Sequence, residues 1–104
     1  MVNGFTVIVP AYNEGKIIHA NALRLVRECE KIGEQFEIII VDNGSTDRTK
    51  NECYRAIVEE KRIKYFRLPE KGVGSAFRKG FKESAYDKIL SIDADLTIDL
   101  AFIA

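Results

Sequence analysis

The sequence of 104 residues contains little histidine, little cysteine and no long hydrophobic run. His19 is the only histidine, so a catalytic triad or pair built on histidine is not expected. Cys29 and Cys53 are the only cysteines, and their spacing fits no metal site, which predicts two reduced thiols in a cytoplasmic protein. The longest apolar run is far below the roughly 18 residues that indicate a membrane span. No secretory signal is recognisable at the N-terminus.

The sequence also has no net charge, because 16 basic residues balance 16 acidic ones. A general nucleic-acid binder usually has a basic excess, so nucleic acid is not an expected partner. The composition, 46% hydrophobic and 31% charged, fits one small globular domain over residues 1–104. A chain of this length buries roughly 65% of the surface that its unfolded form exposes. That allows one core and not a second catalytic domain.

Charge is nevertheless distributed unevenly along the chain. Residues 61–82 contain eight basic residues and one acidic residue, whereas residues 83–104 contain five acidic residues and one basic residue. A basic arc beside an acidic tip could hold a phosphorylated ligand together with a divalent cation. The same pattern is typical of solvated faces of a helix and an edge strand, and charge alone does not separate the two.

Short β-rich runs alternate with helical stretches. Strands are predicted at residues 5–9, 36–41, 63–68 and 88–92, the third near a sheet edge because it is more polar and the fourth buried. Ser45 or Thr46 is expected to cap the second helix, and Gly33 to end the first. The apolar positions that indicate the three helices are Ile18, Ala22, Leu25, Cys29 and Ile32, then Cys53, Ala56 and Ile57, then Phe77, Phe81 and Ala85.

This order predicts right-handed βαβ units and a mostly parallel sheet, in an α/β, Rossmann-like fold. Ligands of such folds bind beyond the carboxyl ends of the strands. Polar residues cluster after the first, second and fourth predicted strands, so three loops are expected to converge on one rim.

Several residues of these loops suit a nucleotide. Tyr12 could stack on a base and Glu14 could accept hydrogen bonds from base or ribose, or they could pack on and start the following helix. Asp42 lies where an acid can pair with a nucleobase edge, while Asp47 is expected to cap a helix. Gly72 and Gly74 permit close approach of the backbone to a diphosphate, although glycines in a strand-to-helix turn and Gly80 facing a packed strand explain the pattern equally well.

Asp93 and Asp95 are the sharpest feature of the sequence. Two carboxylates at positions i and i+2, directly after an apolar strand, lie close enough to repel each other. A divalent cation that also binds phosphate oxygens relieves this repulsion, so Asp93 and Asp95 are candidate ligands of Mg²⁺ or Mn²⁺.

Together these motifs resemble the family 2 glycosyltransferases, which have the GT-A fold. Within that family the chain looks most like the polyprenyl-phosphate or dolichyl-phosphate sugar transferases. The resemblance lies in four segments in the family's order: Val7-Ile-Val-Pro-Ala-Tyr-Asn-Glu14, Ile40-Val-Asp-Asn-Gly-Ser-Thr-Asp47, Lys71-Gly-Val-Gly-Ser-Ala-Phe-Arg-Lys-Gly80 and Ser91-Ile-Asp-Ala-Asp-Leu96.

The resemblance implies a three-layer sandwich and a role for each motif. Pro10, Tyr12, Glu14 and Asp42 would hold the nucleotide of a UDP-sugar or GDP-sugar. Asp93 would face the ribose or the sugar, and Asp95 would coordinate the metal on the diphosphate. An acceptor, a polyprenyl phosphate or a glycan, would then attack the anomeric carbon with inversion.

Two departures from the family pattern stand out. Asn43 occupies a position where many members have a second aspartate. The chain also ends nine residues after Asp95, whereas the family continues into an acceptor-binding half with the general base. The expectation is therefore a donor-binding half-domain, with the catalytic base beyond Ala104.

Other interpretations stay open. A non-catalytic nucleotide-binding module would have the same loops, and a flavodoxin-like signalling domain would have a similar length. The apolar end, residues 100–104, could pair with a second copy at the sheet edge. The basic residues 61–82 could be attracted to anionic lipid or to a partner at the cytoplasmic face of a membrane.

Overall fold

Four β-strands alternate with three α-helices in a computed structural model that describes residues 3–69 and 74–95. Gly72 and the apolar end at residues 100–104 lie outside the described residues. In chain order the elements are β1 (Gly4–Ala11), α1 (Ile18–Glu30), β2 (Gln35–Asp42), α2 (Thr49–Glu59), β3 (Ile63–Arg67), α3 (Ser75–Glu83) and β4 (Lys88–Ser91).

The strands form one parallel sheet in the order β3-β2-β1-β4. The predicted α/β fold is therefore confirmed, as is the edge position of β3. The flavodoxin-like alternative is wrong, because that fold has the strand order 2-1-3-4-5. Strand order reverses between β1 and β4, since β2 and β3 lie on one side of β1 and β4 lies on the other.

Side chains that alternate along the strands build two cores. Val7 and Ile38 point to the face covered by α1 and α2, whereas Ile8 and Ile39 point to the face covered by α3. The crossovers from β1 to β2 and from β2 to β3 run in one direction along the sheet, and the crossover from β3 to β4 runs in the other. Because such crossovers are right-handed, α1 and α2 lie on one face and α3 lies on the opposite face. The result is the expected three-layer sandwich. No helix within the described residues is long and apolar enough to cross a membrane.

Both thiols lie in the larger core. Cys29 and Cys53 have no solvent exposure and form no disulfide. Burial raises the pKa of each thiol to about 12, because the thiolate would lose its hydration. The prediction of two unpaired thiols is confirmed, and at neutral pH both are protonated and unreactive.

Helix α3 meets the sheet through Gly80, one of the alternatives that the sequence offers, and not through the apolar positions that indicate the helix. Phe77 and Phe81 are 41% and 57% exposed, and Ala85 lies beyond the end of the helix. Ala76 and Gly80 pack on the sheet instead. A Cβ atom at Gly80 would lie 2.6 Å from Cδ1 of Ile8, so only the smallest residues fit between helix and sheet.

The fourth strand also differs from its prediction. β4 ends at Ser91 and its side chains alternate between half-buried and exposed, with Leu90 40% exposed. The expectation of a buried strand is wrong because β4 pairs with β1 alone among the described strands. Ile92, directly after it, is buried and its N–H donates to the Ile8 carbonyl, which continues the pairing toward the rim.

A buried carboxylate connects the sheet to the segment after α3. Glu37 is 4% exposed, and its Oε2 accepts hydrogen bonds from Thr6 Oγ1 at 2.7 Å and from the Ala85 N–H at 2.6 Å. Its Oε1 accepts from Lys64 Nζ at 2.6 Å. Burial alone would raise the pKa of Glu37, but these donors outweigh it and lower the pKa below its usual value.

Replacing Gly80 by alanine should destabilise the protein, although alanine is normally the better helix former. We expect a loss of about 1–3 kcal/mol in the free energy of unfolding, because Ile8 is fully buried and cannot move aside. Urea unfolding of Gly80→Ala, Ile8→Ala and the double variant measures the coupling. The double variant should lose less stability than the two single losses added together. Strict additivity would contradict the close packing.

Glu37→Gln tests the buried carboxylate. A group whose pKa is lowered on folding stabilises the fold above its unfolded pKa, about 4.3, and loses that contribution as the pH falls through the folded pKa. We expect the variant to cost about 1–3 kcal/mol at neutral pH and to unfold with less pH dependence between about pH 5 and about pH 3. Glu34→Gln, which removes a more exposed ion pair with Lys88, is the control. Equal pH profiles for wild type and Glu37→Gln would refute this role.

Candidate functional site

The loops after β1, β2 and β4 meet at the carboxyl edge of the sheet, as the sequence predicts. The first two loops are joined by hydrogen bonds between residues 13–15 and residues 45–49. The third is joined to α1, because Asn21 Nδ2 donates to the Ala94 carbonyl at 3.0 Å. This rim lies at the point where strand order reverses, which is where ligands of parallel sheets bind.

Asn13 is the centre of the first two loops. Its N–H donates to Ser45 Oγ at 2.8 Å, and its Oδ1 accepts from the N–H of Thr46 at 2.8 Å and of Asp47 at 3.3 Å. Its φ of 53° lies in the left-handed region, which asparagine tolerates better than most residues. The sequence places the amide of Asn13 beside the expected crevice but assigns it no role; its function as the junction of two loops becomes visible only in the structure.

Asp47 lies just before α2 and joins its first residue to the β1–α1 loop, whereas the N-cap position itself is Arg48, without a side-chain cap hydrogen bond. Asp47 Oδ1 accepts from the Thr49 N–H at 2.8 Å, at the start of α2, and Asp47 Oδ2 accepts from the Gly15 N–H at 3.0 Å. Burial would raise the pKa of Asp47, but the bonds from Thr49 and Gly15 lower it. The expectation that Ser45 or Thr46 caps α2 is wrong, because α2 begins only at Thr49 and Ser45 instead accepts from Asn13.

Asp42 lies below the rim rather than on it. The residue has no solvent exposure, its Oδ1 accepts from the Ser45 N–H at 2.8 Å, and its Oδ2 accepts from Tyr65 Oη at 2.6 Å. Arg67 Nη1 lies 3.3 Å from the same Oδ2, and Arg67 Nη2 donates to the Ser45 carbonyl at 2.8 Å. Asp42 therefore holds the β2–α2 loop in place, and its predicted contact with a nucleobase stays a prediction.

Tyr65 and Arg67 were not identified from the sequence. Both lie on β3, and the register that pairs Asp42 with Arg67 brings them to the buried carboxylate. Burial, and then the hydrogen bond to Asp42, raise the pKa of Tyr65, so its hydroxyl stays protonated and donates. Their role depends on the order of the strands, which the sequence does not state directly.

The turn after β4 presents two carboxylates outward. Asp93 and Asp95 are exposed, whereas Ala94 between them is 3% exposed and packs into the core. Burial of Ala94 and its bond from Asn21 fix the turn against α1. The predicted same-side arrangement of the two carboxylates agrees with this alternation.

Glu14 connects these carboxylates to the other loops. Its N–H donates to Thr49 Oγ1 at 2.9 Å and its carbonyl accepts from the N–H of Ile18 at 2.8 Å, at the start of α1. The pKa of its half-buried carboxyl is raised, first by burial and then by the charges of Asp95, Asp47 and Asp93. The rim therefore carries a concentrated negative potential contributed by all three loops.

This potential suits a hard cation. Within residues 3–69 and 74–95, no group of three or more histidine, cysteine, aspartate or glutamate side chains is arranged to hold a metal ion. Mg²⁺ and Mn²⁺ are commonly held by one or two carboxylates, with phosphate oxygens and water completing the shell. Asp93 and Asp95 fit that incomplete protein shell, so a metal would depend on its phosphate ligand.

The remaining predicted residues also lie at or beside the rim. Pro10 is half-buried near the end of β1 opposite Val41, and Tyr12 is 37% exposed directly after that strand. Gly74 adopts a φ of 83° immediately before α3 and so opens that helix, as predicted. Gly72 lies outside the described residues.

Asn43 contributes a buried acceptor. Its N–H donates to the Ala11 carbonyl at 2.8 Å, while its side-chain Oδ1 is buried and accepts no hydrogen bond from the described residues. A buried acceptor without a donor is rare in proteins and calls for an explanation. Asn43 directly follows Asp42 and lies at the same carboxyl edge of the sheet as Tyr12.

The basic residues at positions 61–69 and 74–82, which are the described part of the basic segment, do not form a continuous positive surface. Four of them are neutralised in ion pairs within the described part of the chain. These are Arg62 with Glu30 and Glu60, Lys64 with Glu37, Arg67 with Asp42, and Lys79 with Glu83.

Comparison with known proteins identifies relatives of this sequence. The undecaprenyl-phosphate 4-deoxy-4-formamido-L-arabinose transferase of Pectobacterium atrosepticum is 35% identical over 97 residues, which are 91% of this chain and 30% of that protein. The chain therefore spans about a third of the length of the curated relatives that it matches.

Solved structures share the fold. The mannosyltransferase PcManGT from Pyrobaculum calidifontis, in complex with GDP-Man and Mn²⁺, superposes with a TM-score of 0.74 at 26% identity over 88% of this chain and 27% of that one. S. aureus TarS 1-349, in complex with UDP-GlcNAc, gives a TM-score of 0.68 at 31% identity over 89% of this chain and 27% of that one. These likenesses confirm the expected GT-A type of fold.

The model of the family described as glycosyl transferase family 2 matches residues 6–103, which include all four motifs and the whole rim. This chain belongs to glycosyl transferase family 2.

Proposed function

We propose that this chain is the donor-binding part of a sugar transferase that takes a UDP-sugar or a GDP-sugar. The observation that carries the proposal is the convergence of Glu14, Asp47, Asp93 and Asp95 from three loops, where burial and then the charges of the three aspartates raise the pKa of Glu14. Such a concentration of carboxylates at the switch point of a parallel sheet suits a diphosphate only when a divalent cation accompanies it.

In this proposal each loop of the rim has a separate role in binding the nucleotide-sugar. Tyr12 provides an exposed ring for stacking on the base. Asn43 Oδ1 accepts a hydrogen bond from the ring N–H that is present in both uracil and guanine. Asp93 and Asp95 hold Mg²⁺ or Mn²⁺ with the diphosphate, and Asp93 also faces the ribose or the sugar. Asp42 supports the site from below through Ser45.

The reaction proposed for the longer protein is an inverting transfer. An acceptor oxygen forms a bond to the anomeric carbon as the bond from that carbon to the diphosphate breaks. The metal, when bound, offsets negative charge on the departing nucleoside diphosphate. The relatives' names indicate a polyprenyl phosphate as acceptor, and we propose the same acceptor class here. Activity of these 104 residues alone is not part of the proposal.

Metal-dependent nucleotide binding tests the site directly. UDP or GDP with Mn²⁺, at about ten times the dissociation constant, should stabilise the fold by about 1.4 kcal/mol and raise the melting temperature by roughly 5–10 °C. Asp95→Asn should remove the metal-dependent part of the shift. Asp87→Asn, an exposed aspartate before β4 at the opposite end of the sheet, is the matched control.

If neither nucleotide raises the melting temperature with or without Mn²⁺, the binding proposal fails. If the nucleotide raises the melting temperature but a longer protein containing this chain transfers no sugar, the alternative of a non-catalytic nucleotide-binding module is favoured.

The loop junction at Asn13 gives a second test. Asn13→Gly keeps a residue that tolerates a φ of 53° but removes the acceptor for the Thr46 and Asp47 N–H groups. We expect nucleotide affinity to fall about tenfold, equivalent to about 1.4 kcal/mol, because Tyr12 and Glu14 lose their fixed positions. Thr46→Ala retains the backbone N–H and should bind like wild type in calorimetric titration. Equal affinities for all three proteins would show that the junction does not organise the site.

A further inference from the structure

The outward face of α3 carries two aromatic rings that the core does not use. Phe77 and Phe81 lie one helical turn apart, so their side chains form one stripe on the helix surface. They are 41% and 57% exposed, whereas Ala76 and Gly80 fill the face toward the sheet.

A second stripe, of positive charge, runs beside the first. Arg78 and Lys82 are exposed and also lie one turn apart. Arg78 donates to Ser75 Oγ at 3.1 Å, and neither residue forms an ion pair within residues 3–69 and 74–95. Lys79 pairs with Glu83 at 3.0 Å, so that pair adds no net charge. The described surface of α3 is thus aromatic along one stripe and cationic along the next.

Helix α2 provides the contrast. Tyr54 and Val58 are 50% and 84% exposed and are likewise one turn apart. Arg55, beside them, is paired with Glu52 at 2.7 Å, and Glu59 is the following residue. Exposed apolar side chains therefore occur on both helices. On α2, Lys50 lies 5.9 Å from the centre of the Tyr54 ring, but Glu52 and Glu59 balance the two cations of that helix. On α3 three basic residues stand against one acidic residue, so of these two helices only α3 combines exposed apolar side chains with a net positive charge.

We propose that α3 docks on an anionic lipid bilayer through Phe77, Phe81, Arg78 and Lys82. Helices that lie in a membrane interface combine apolar side chains with lysine and arginine on the polar side. The aromatic rings would enter the headgroup region, and the two cations would lie against the negative surface potential. A second copy meeting the same face would instead bring like charges together, which disfavours self-association here.

The docking would also orient the rim. Gly74 lies immediately before α3 at the edge of the sheet where the loops converge, so the first turn of α3 is the part nearest to that rim. A bilayer against α3 would bring the site close to an acceptor carried by lipid. This consequence rests on the proposed function, whereas the docking itself does not.

Vesicle sedimentation of the 104-residue protein tests the docking. The vesicles contain phosphatidylcholine alone or with about 30% phosphatidylglycerol, at about 0.1 M and about 1 M salt. Binding should occur only to the anionic vesicles and only at the lower salt. Each cation near an anionic surface contributes about fivefold, so Arg78→Gln with Lys82→Gln should weaken partitioning about thirtyfold. Phe77→Ser with Phe81→Ser should weaken it as well, and Tyr54→Ser with Val58→Ser should not.

Absence of binding to anionic vesicles, equal binding to both vesicle types or an equal loss in the α2 control would overturn the docking proposal. So would a change in molecular mass of Phe77→Ser with Phe81→Ser in the absence of vesicles, with lipid binding unchanged, because it would show a protein interface instead. Circular dichroism melting and the nucleotide-induced melting shift are measured for every variant. A normal nucleotide shift without lipid binding would refute the docking and leave the donor site standing.

Discussion

The pairing of β4 with β1, on the side away from β2, is the constraint on which the candidate site depends. Parallel strands must be joined by crossovers, and their right-handedness places α1 and α2 on one face of the sheet and α3 on the other. The reversal leaves the loops after β1 and β4 without a helix between them. Glu14 therefore lies near Asp93 and Asp95, although it precedes them by 79 and 81 positions in the chain.

Two buried carboxylates hold the two ends of this sheet in different ways. Glu37, in the amino-terminal half of β2, is stabilised as an anion by Thr6, Lys64 and Ala85. Asp42, at the other end of the same strand, fixes the β2–α2 loop through Ser45. A buried charge is costly unless it is fully hydrogen-bonded, and each carboxylate has three donors, those of Glu37 from three separate segments and those of Asp42 from its own loop and from β3. The rim is consequently organised before any ligand binds.

Most of the fold could be predicted from the sequence because β1 and β2 are continuous β-branched runs and α1 has a regular apolar stripe. For α3 the sequence offered Gly80 against a strand as one interpretation but did not decide it, since Phe77 and Phe81 carry the stronger hydrophobic signal and the contact of Gly80 with Ile8 depends on the fold. β4 was misjudged for a related reason: Leu90 looks like a core residue until the strand order shows it at an edge. The local sequence pattern identifies helices and strands, whereas the face of each one that is buried depends on neighbours that are distant in the sequence.

The site was predicted in the same uneven way. Asp93 and Asp95 could be named as candidates because they follow an apolar strand at a rim where two other polar loops are expected. The loop-joining role of Asn13 and the position of Arg67 could not be predicted, because they depend on a left-handed backbone and on strand register.

The central proposal is that the loops after β1, β2 and β4 form one nucleotide site. Backbone amide chemical shifts of isotopically labelled protein, titrated with UDP and with GDP in the presence of Mg²⁺, test it most directly. The predicted result is a set of shifts confined to residues 12–15, 42–49 and 93–95, with residues 33–36 at the opposite end of the sheet unchanged. Shifts centred on residues 33–36, or none in the three loops at saturating nucleotide, would contradict it.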